Sequence, residues 1–149
     1  MSLFDTVSED IKKAMLAREK EKLDALRAVK TAFQLARTET GAGGELTAET
    51  ELKIVQKLVK QRRESAEIYQ QQNRQDLADK ELLEATVIEQ YLPAQMSEAE
   101  LETALKVIIE KVGAKAPSDM GKVMGIATKE LSGKADGKAI SIKVKQLLQ

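Results

Sequence analysis

The sequence predicts an all-α protein with a helical N-terminal unit and a small C-terminal unit of three helices. Apolar residues recur at helical spacing along most of the 149 residues. Strand-like alternation occurs only in the C-terminal tail, and no other segment could pair with it as a second strand. A proline at position 93 interrupts the helical pattern. We therefore expect one domain over residues 1–93 and a second over residues 94–149.

The first helical segment should run from Leu3 to Ala36. Apolar residues return every four positions from Leu3 to Met15, and a second set continues to Ala36 in a slightly shifted phase. Two helices or one kinked helix would both produce this pattern. The stretch TGAGGE at residues 40–45 should then form a flexible surface connection, because its glycines lose too much backbone entropy to stay helical.

A long helix should follow this connection. Thr47 can cap it, acidic residues lie in its first turn, and the pattern runs to about Asn73. Asp76 can cap the next helix, which Pro93 stops because the residue before a proline is biased away from helical geometry. The N-terminal unit is therefore expected to be a helical hairpin with a long helix.

The C-terminal unit carries clear signals for helix starts and stops. Ser97 and Glu100 form a capping box, and Gly113 suits the end of the helix that they open. Pro117 should begin the next helix and Gly133 should close it. The stripe of this helix that faces the core contains Met120, Val123, Met124, Ala127 and Leu131.

The C-terminal tail fits two kinds of secondary structure. Ile140, Ile142 and Val144 alternate as in a strand, whereas Ile140, Val144, Leu147 and Leu148 fit a helix. We predict a helix, because the rest of the chain offers no partner strand.

Composition argues against several classes of protein. Lys and Arg total 24 and Asp and Glu total 24, so the net charge gives no sign of a nucleic-acid or membrane protein. Cysteine and histidine are absent, which excludes disulfides, thiolate metal sites and the usual general base. No apolar stretch approaches the roughly 20 residues that span a bilayer, and the N-terminus does not read as a secretion signal. We expect a cytoplasmic protein with no catalytic residue, metal site or cofactor.

Positive charge is concentrated in the last quarter of the chain. Residues 113–149 contain seven lysines against three carboxylates, an excess of +4 that leaves the rest of the chain at −4. Gly121 and Gly125 lie in the body of a predicted helix, where each costs roughly 1 kcal/mol relative to alanine. At roughly 100° per residue they belong, with Thr128 and Ser132, to a flank of small residues beside Lys122 and Lys129.

Two interpretations of this flank stay open. In one, the small residues let another helix approach closely, and the lysines are ordinary solvated charges. In the other, the backbone of a polyanion approaches the two glycines closely while Lys122 and Lys129 pair with its phosphates. Lys134 and Lys138 would then extend the basic surface across the following turn.

The motifs that the sequence lacks limit the kinds of ligand that this segment could bind. The glycine pattern lacks the spacing of a nucleotide-binding P-loop. No aromatic residue follows Tyr91, so the basic segment has none on which unpaired bases could stack. Any nucleic acid that this segment holds is therefore expected to be a folded or double-stranded RNA, bound by its shape and phosphates, and neither DNA nor a membrane is expected.

Four stretches of the sequence resemble a known family, and the resemblance covers essentially the whole chain. They are KQRRESAEIY, NRQDLADKE, YLPAQMSEAEL and DMGKVMG followed by GKADGK. The chain resembles the stand-alone YqeY-like proteins of the GatB/YqeY family. Its C-terminal part is also similar to the tail domain of GatB, the B subunit of the glutamine-dependent amidotransferase that converts misacylated Glu-tRNA or Asp-tRNA to Gln-tRNA or Asn-tRNA.

The resemblance implies a two-part, all-helical protein related to translation, with a tail that helps to hold the body of a tRNA. As a hypothesis, this tRNA contact transfers to the residues that match or border the shared motif. They are Lys122, Gly125, Lys129, Lys134 and Lys138. The family label of carbon-nitrogen ligase activity with glutamine as amido-N-donor is implied by the resemblance alone, because the catalytic domains have no counterpart in this sequence.

Three functions follow as hypotheses. The first is a non-catalytic protein that binds tRNA or another folded RNA, related to the amidotransferase. The second is an interaction module of an amidotransferase or synthetase complex, which uses its long N-terminal helices and does not touch RNA. The third, an independent enzyme, is the least favoured because histidine and cysteine are absent. Salt should weaken the RNA contact steeply and an apolar protein contact little.

Overall fold

A computed structural model of the chain describes residues 2–39 and 45–149, so residues 40–44 of the predicted flexible connection lie outside the described part. The described residues form seven α-helices and no strand, which confirms the all-α prediction. Their contacts divide the chain into two compact units, Met1–Leu92 and Pro93–Gln149. We call them the N-terminal unit and the C-terminal unit.

The N-terminal unit contains four helices. They are α1 (Leu3–Ala17), α2 (Lys20–Glu39), α3 (Ala48–Gln71) and α4 (Gln75–Glu89). Between α1 and α2, Arg18 adopts a left-handed conformation with φ 58°, so the first segment is two helices and not one kinked helix. Thr47 caps the long helix α3 by accepting a hydrogen bond from the Thr50 N–H, as predicted.

Helices α3 and α4 form the predicted hairpin, and their apolar faces close a core with α1 and α2. The fully buried side chains of this core include Val7, Leu26, Val29, Phe33, Val55 and Ile88. On the surface of the hairpin, the Arg63 guanidinium of α3 pairs with the Glu89 carboxylate of α4. Because water screens an exposed ion pair, this one stabilises the unit much less than burial of the core does.

The prediction that Asp76 caps α4 is wrong. The helix begins at Gln75, two residues before the start that a cap at Asp76 would give it, and Asp76 lies inside its first turn. Both carboxylate oxygens of Asp76 accept hydrogen bonds from the Arg74 guanidinium, each at 3.2 Å. A guanidinium presents a planar fork that matches a carboxylate, so the Asp76 side chain is held by Arg74 and makes no cap. This pairing also lowers the pKa of Asp76.

The first turn of α1 is held by a carboxylate from α3. Glu51 is buried, with 3% of its surface exposed. Its carboxylate accepts hydrogen bonds from the N–H of Phe4 at 2.9 Å and the N–H of Leu3 at 3.4 Å. The amino end of a helix has unpaired N–H groups and a partial positive charge. The Glu51 carboxylate therefore pairs with these N–H groups, balances the positive charge at the start of the helix, and links α1 to α3.

The C-terminal unit contains three helices, as the sequence predicts. They are α5 (Glu98–Val112), α6 (Met120–Glu130) and α7 (Gly137–Leu147), with a short 3₁₀ turn at Pro117–Asp119 before α6. The tail is a helix and not a strand. Leu105, Val123, Ile140 and Val144 are fully or almost fully buried in the core that the three helices share.

The caps of α5 match the sequence, whereas α6 begins at Met120 and ends at Glu130, inside the predicted bounds of Pro117 and Gly133. Ser97 and Glu100 form the capping box at the start of α5. Gly113 ends that helix with φ 70°, and Gly133 has φ 78° in the turn between α6 and α7. Both conformations are left-handed, which glycine adopts without the steric cost that other residues incur.

Candidate nucleic-acid interface

The outer face of α6 carries two lysines with a glycine between them. Val123 and Ala127 are fully buried and define the inner face of the helix. Lys122, Gly125 and Lys129 point the opposite way and are exposed. The two lysines are seven residues apart, so they stand two turns from each other, about 10 Å along the axis. We call these three residues the α6 face.

Neither glycine of α6 has a packing partner in the described part of the chain. A Cβ atom built on Gly121 or Gly125 would meet no heavy atom within 4 Å outside its own helix and chain neighbours. Among the described residues, no other helix therefore packs against these glycines. Each glycine lowers helix stability by roughly 1 kcal/mol relative to alanine. No packing contact within the described residues offsets this loss.

The rest of the predicted small flank is less open than the glycines. Thr128 is half-buried, and its hydroxyl donates a hydrogen bond of 2.7 Å to the Met124 carbonyl. The Ser132 hydroxyl is buried and has no hydrogen-bond partner among the described residues. The bare backbone is therefore confined to the N-terminal half of α6, around Gly121 and Gly125.

Lys134 and Lys138 lie beyond α6. Both are exposed, Lys134 in the turn after the buried Gly133 and Lys138 in the first turn of α7. Two hydrogen bonds from the start of the unit hold this turn. The Gln95 side-chain amide donates to the Gly133 carbonyl at 2.7 Å, and the Met96 N–H donates to the Lys134 carbonyl at 2.9 Å. The structure thus brings Lys122, Gly125 and Lys129 onto one face and places the other two lysines on the next two elements.

None of the four predicted lysines is held in a close ion pair among the described residues. Lys122, Lys129, Lys134 and Lys138 form no ion pair with a carboxylate in the part of the chain that the structure describes. By contrast, the Lys143 ammonium lies 3.3 Å from Glu98. An exposed ammonium without a partner attracts anions, and a set of them attracts a polyanion most strongly.

Asp119 fixes the backbone just before α6. Its carboxylate accepts hydrogen bonds from the N–H groups of Lys115 at 3.0 Å and Ala116 at 3.3 Å. These bonds favour the charged form and lower the pKa of Asp119, and the charge of Lys122 lowers it further. The connection between α5 and α6 is thereby held in one conformation, which orients the first turn of the helix.

The sequence did not point to a groove that lies beside Lys134. It has a volume of about 420 Å³, and the start of α5, the turn after α6 and α7 surround it. Ile142 lines it with half of its surface exposed. A signal was present in the sequence: because Ile140 and Val144 face the core, an isoleucine midway between them must face outward.

A second groove lies in the N-terminal unit between α3 and α4. It has a volume of about 480 Å³, and Arg62, Glu81 and Glu84 are among its lining residues. Burial raises the pKa of Glu84, while the charge of Arg62 acts in the opposite direction. The Arg62 Nε is buried without a hydrogen-bond partner among the described residues. The lining contains three glutamates, Glu64 included, and one arginine, so its net negative charge does not favour a polyanion.

Other kinds of site are not found in the described ranges 2–39 and 45–149. No three Asp or Glu side chains there are grouped so that they could hold a metal ion. No helix there is both long enough and apolar enough to cross a membrane.

Comparisons with known proteins agree with the resemblance noted in the sequence. The family model described as "Yqey-like protein" matches residues 4–148. A relative from Clavispora lusitaniae, named altered inheritance of mitochondria protein 41, mitochondrial, is 30% identical over 115 residues, which cover 76% of this chain and 66% of the relative. The protein of the same name from Meyerozyma guilliermondii is 30% identical over 126 residues, which cover 83% of this chain and 65% of the relative.

These relatives are longer than the matched region, which spans just under two thirds of each. Their names speak of mitochondria, whereas the composition of this chain predicts a cytoplasmic protein, and that location stays a prediction. The family match is different in kind, because it covers nearly every residue of both units. The chain belongs to the YqeY-like protein family.

Proposed function

We propose that the C-terminal unit binds the backbone of a folded RNA, with tRNA as the expected ligand, and that the chain does so without catalysis. The observation that carries this proposal is the α6 face, where Lys122 and Lys129 stand on either side of Gly125 with no carboxylate partner among the described residues. The absence of a side chain at Gly121 and Gly125 leaves the helix backbone open to close approach.

The chemistry of binding follows from these positions. Each lysine ammonium can replace counterions at one phosphate, and the released ions supply much of the free energy of binding. The N–H groups in the middle of α6 are already bonded within the helix. The glycines therefore offer close contact with sugar and phosphate, and the lysines offer charge. Contacts of this kind fix position on a duplex without reading its sequence.

The relation to amidotransferases is a further part of this proposal. It rests on the similarity of the C-terminal part to the GatB tail domain, which helps to hold tRNA. The α6 face lies within and just beyond the stretch DMGKVMG that carries the similarity. We propose that this chain contributes tRNA binding to translation in the cytoplasm, while a partner enzyme performs any transamidation.

A second candidate is a protein-interaction module, favoured by apolar side chains that the N-terminal unit leaves exposed. Leu16, near the end of α1, is 86% exposed, and its neighbour Met15 is 53% exposed. Leu83 and Val87 of α4 line a groove beside the first residues of α2. A purified aminoacyl-tRNA amidotransferase that binds the chain with little dependence on salt, and no longer binds when Leu16 becomes serine, would support this candidate.

Fluorescence anisotropy with unfractionated tRNA tests the first candidate. We expect the wild-type chain to bind at low salt and to weaken steeply at moderate salt. The variant Lys122→Ala/Lys129→Ala should bind about tenfold more weakly, and the slope of its salt dependence should fall by about one for each phosphate that is no longer paired with a lysine.

A matched control removes the same charge at the same spacing from the other unit. Lys53 and Lys60 are also seven residues apart and exposed, on α3. The variant Lys53→Ala/Lys60→Ala should bind tRNA as the wild type does. Equal weakening in the two double variants would mean that net charge and not the α6 face governs binding. No binding by the wild type at low salt would overturn the RNA proposal and favour the second candidate.

A further inference from the structure

The groove beside Lys134 is built from residues that are tied together. The Met96 N–H donates to the Lys134 carbonyl at 2.9 Å, and the Gln95 amide donates to the Gly133 carbonyl at 2.7 Å. On the other side, the Lys143 ammonium of α7 lies 3.3 Å from the Glu98 carboxylate of α5. These contacts join the walls of the groove, so its shape exists before a ligand arrives.

The lining of the groove divides into an apolar surface and polar groups. Met96, Leu101, Ala139 and Ile142 supply the apolar surface. Ile142 is half-exposed, although it belongs to a helix whose other isoleucine is buried. Nothing in the C-terminal core requires an apolar residue at this position. A large aliphatic side chain in a preformed concave surface is the usual lining of a ligand site.

The polar groups favour a ligand with both an anion and amine donors. Glu98 neutralises Lys143, which leaves Lys134 as a cation that forms no ion pair in the described part of the chain. The carboxylate of Glu98 accepts hydrogen bonds, and the side-chain amide of Gln146 both donates and accepts. A phosphate suits Lys134, and an exocyclic amino group suits the carboxylate and the amide.

We propose that this groove receives one unpaired nucleotide of the folded RNA, with its base against Ile142 and its phosphate at Lys134. The inference rests on the proposed function and adds a specificity site to it. A groove of about 420 Å³ is in the range of small-ligand sites. Adenine and cytosine should be preferred over uracil, because only the first two carry an amino group that the acceptors can bind.

Because no aromatic residue follows Tyr91, the groove should bind a base only weakly. An aromatic platform holds a base by stacking, whereas Ile142 offers only apolar contact. Covering a half-exposed isoleucine gives roughly half the effect of burying one completely, so we expect a gain of about fivefold in affinity. The α6 face supplies most of the binding, and the groove discriminates among RNAs.

Short RNA hairpins that differ in one nucleotide provide the test. One hairpin is fully paired, and three others carry a single bulged adenosine, cytidine or uridine in the same stem. Anisotropy titrations of the wild-type chain should show about fivefold tighter binding of the adenosine and cytidine bulges than of the paired hairpin. The uridine bulge should also gain from contact with Ile142, but less than the other two, since uracil has one ring N–H for the acceptors in place of an amino group.

Two serine variants separate the groove from the rest of the surface. Ile142→Ser should abolish the preference for bulged RNA while it leaves binding of the paired hairpin unchanged. Val107→Ser is the matched control, since Val107 is 59% exposed on α5 and does not line the groove. It should retain the preference. Circular dichroism of both variants should match the wild type, because neither side chain belongs to the core.

Each alternative result overturns the inference in a recognisable way. Equal binding of paired and bulged hairpins, with both weakened in the Lys122→Ala/Lys129→Ala variant, would remove the groove proposal and leave the proposed function intact. No salt-dependent binding of any hairpin would overturn both. A light-scattering mass of two chains that Ile142→Ser reduces to one would show that a second copy covers the groove.

Discussion

The two units of this chain use polar and aromatic residues in opposite ways. The N-terminal unit contains 15 basic and 17 acidic residues and every aromatic residue, and the C-terminal unit contains nine lysines and seven acidic residues. In the N-terminal unit these groups bond to one another. The Tyr91 hydroxyl donates to Asp10 at 2.5 Å, and the Arg37 guanidinium lies 4.0 Å from the centre of the Phe4 ring.

In the C-terminal unit, by contrast, lysines and helix backbone face outward. Lys122 and Lys129 lack ion-pair partners among the described residues, and Gly121 and Gly125 touch no neighbouring side chain there. The N-terminal unit therefore uses its polar groups to hold its own helices together. The C-terminal unit gives up helix stability at a surface, which is expected where a second molecule supplies the missing contacts.

The largest effect should come from a cavity in either core. Leu105 and Leu26 are fully buried in the C-terminal and N-terminal units. Replacing either with alanine should lower the free energy of unfolding of its unit by about 2–5 kcal/mol. If the C-terminal unit carries RNA binding, Leu105→Ala should lose tRNA affinity as that unit unfolds. Leu26→Ala should retain it. Urea titrations followed by circular dichroism, paired with anisotropy at each concentration, would measure both.

Loss of tRNA binding in Leu26→Ala, while the C-terminal unit stays folded, would contradict the assignment of RNA binding to that unit alone. It would mean that the N-terminal unit also contributes to the RNA site.

The next effect tests whether polar groups hold the N-terminal unit together. Glu51→Ala removes the acceptor of the Leu3 and Phe4 N–H groups and leaves them unpaired. We expect a loss of about 2 kcal/mol in the free energy of unfolding. Glu49→Ala, which removes an exposed carboxylate from the same turn of α3, should cost well under about 1 kcal/mol. Equal costs would show that the charge and not the cap matters.

A smaller effect of opposite sign is expected at the glycines of α6. Gly121→Ala and Gly125→Ala should each raise the stability of the C-terminal unit by about 0.5–1 kcal/mol, because alanine favours a helix and fits without a clash. The double variant should also bind tRNA more weakly, since the added methyl groups keep the RNA backbone away. Thermal unfolding and anisotropy on the same samples would show the two changes together.

Higher stability with unchanged RNA binding would contradict the close-approach interpretation of the glycines. Lys122 and Lys129 alone would then account for RNA binding at the α6 face.

Local signals explain how much of this fold the sequence predicts. The capping box of Ser97 and Glu100, the cap at Thr47 and the left-handed Gly113 each depend on residues within one helical turn. The cap assigned to Asp76 also depends on a near neighbour: Arg74, two residues away, binds the carboxylate and prevents it from capping the helix. Short-range chemistry decides both the successes and the error.

Contacts between distant residues explain what the sequence leaves out. Glu51 reads as an ordinary acidic residue in the first turn of α3, and only folding places it at the start of α1. The α6 face follows from helical spacing alone. The groove beside Lys134 does not, because residues near position 96, the turn after α6 and Ile142 meet only in the folded unit. The assignment of RNA to either surface stays a proposal.

The smallest effect concerns the pH dependence of the C-terminal unit. Backbone hydrogen bonds from Lys115 and Ala116 lower the pKa of Asp119 from its ordinary 3.8. A lowered pKa means that the folded state favours the charged carboxylate, so the stabilisation is complete above pH 3.8 and disappears as the pH falls through the lower folded value. Because the Asp119 carboxyl is exposed to water, screening keeps the contribution small.

Asp119→Ala should therefore unfold at a slightly lower urea concentration than the wild type at neutral pH, and the two should converge below the folded pKa. Glu110→Ala, which removes an exposed carboxylate of α5, should follow the wild-type curve at every pH. Urea midpoints measured between about pH 7 and pH 2.5 would test this. A constant offset between Asp119→Ala and the wild type would mean that the backbone bonds at Lys115 and Ala116 stabilise the unit regardless of charge, as a neutral acceptor would. Convergence would show that the α5–α6 connection depends on an ionised carboxylate, so that this unit, like the N-terminal one, uses a charged side chain to hold its own backbone.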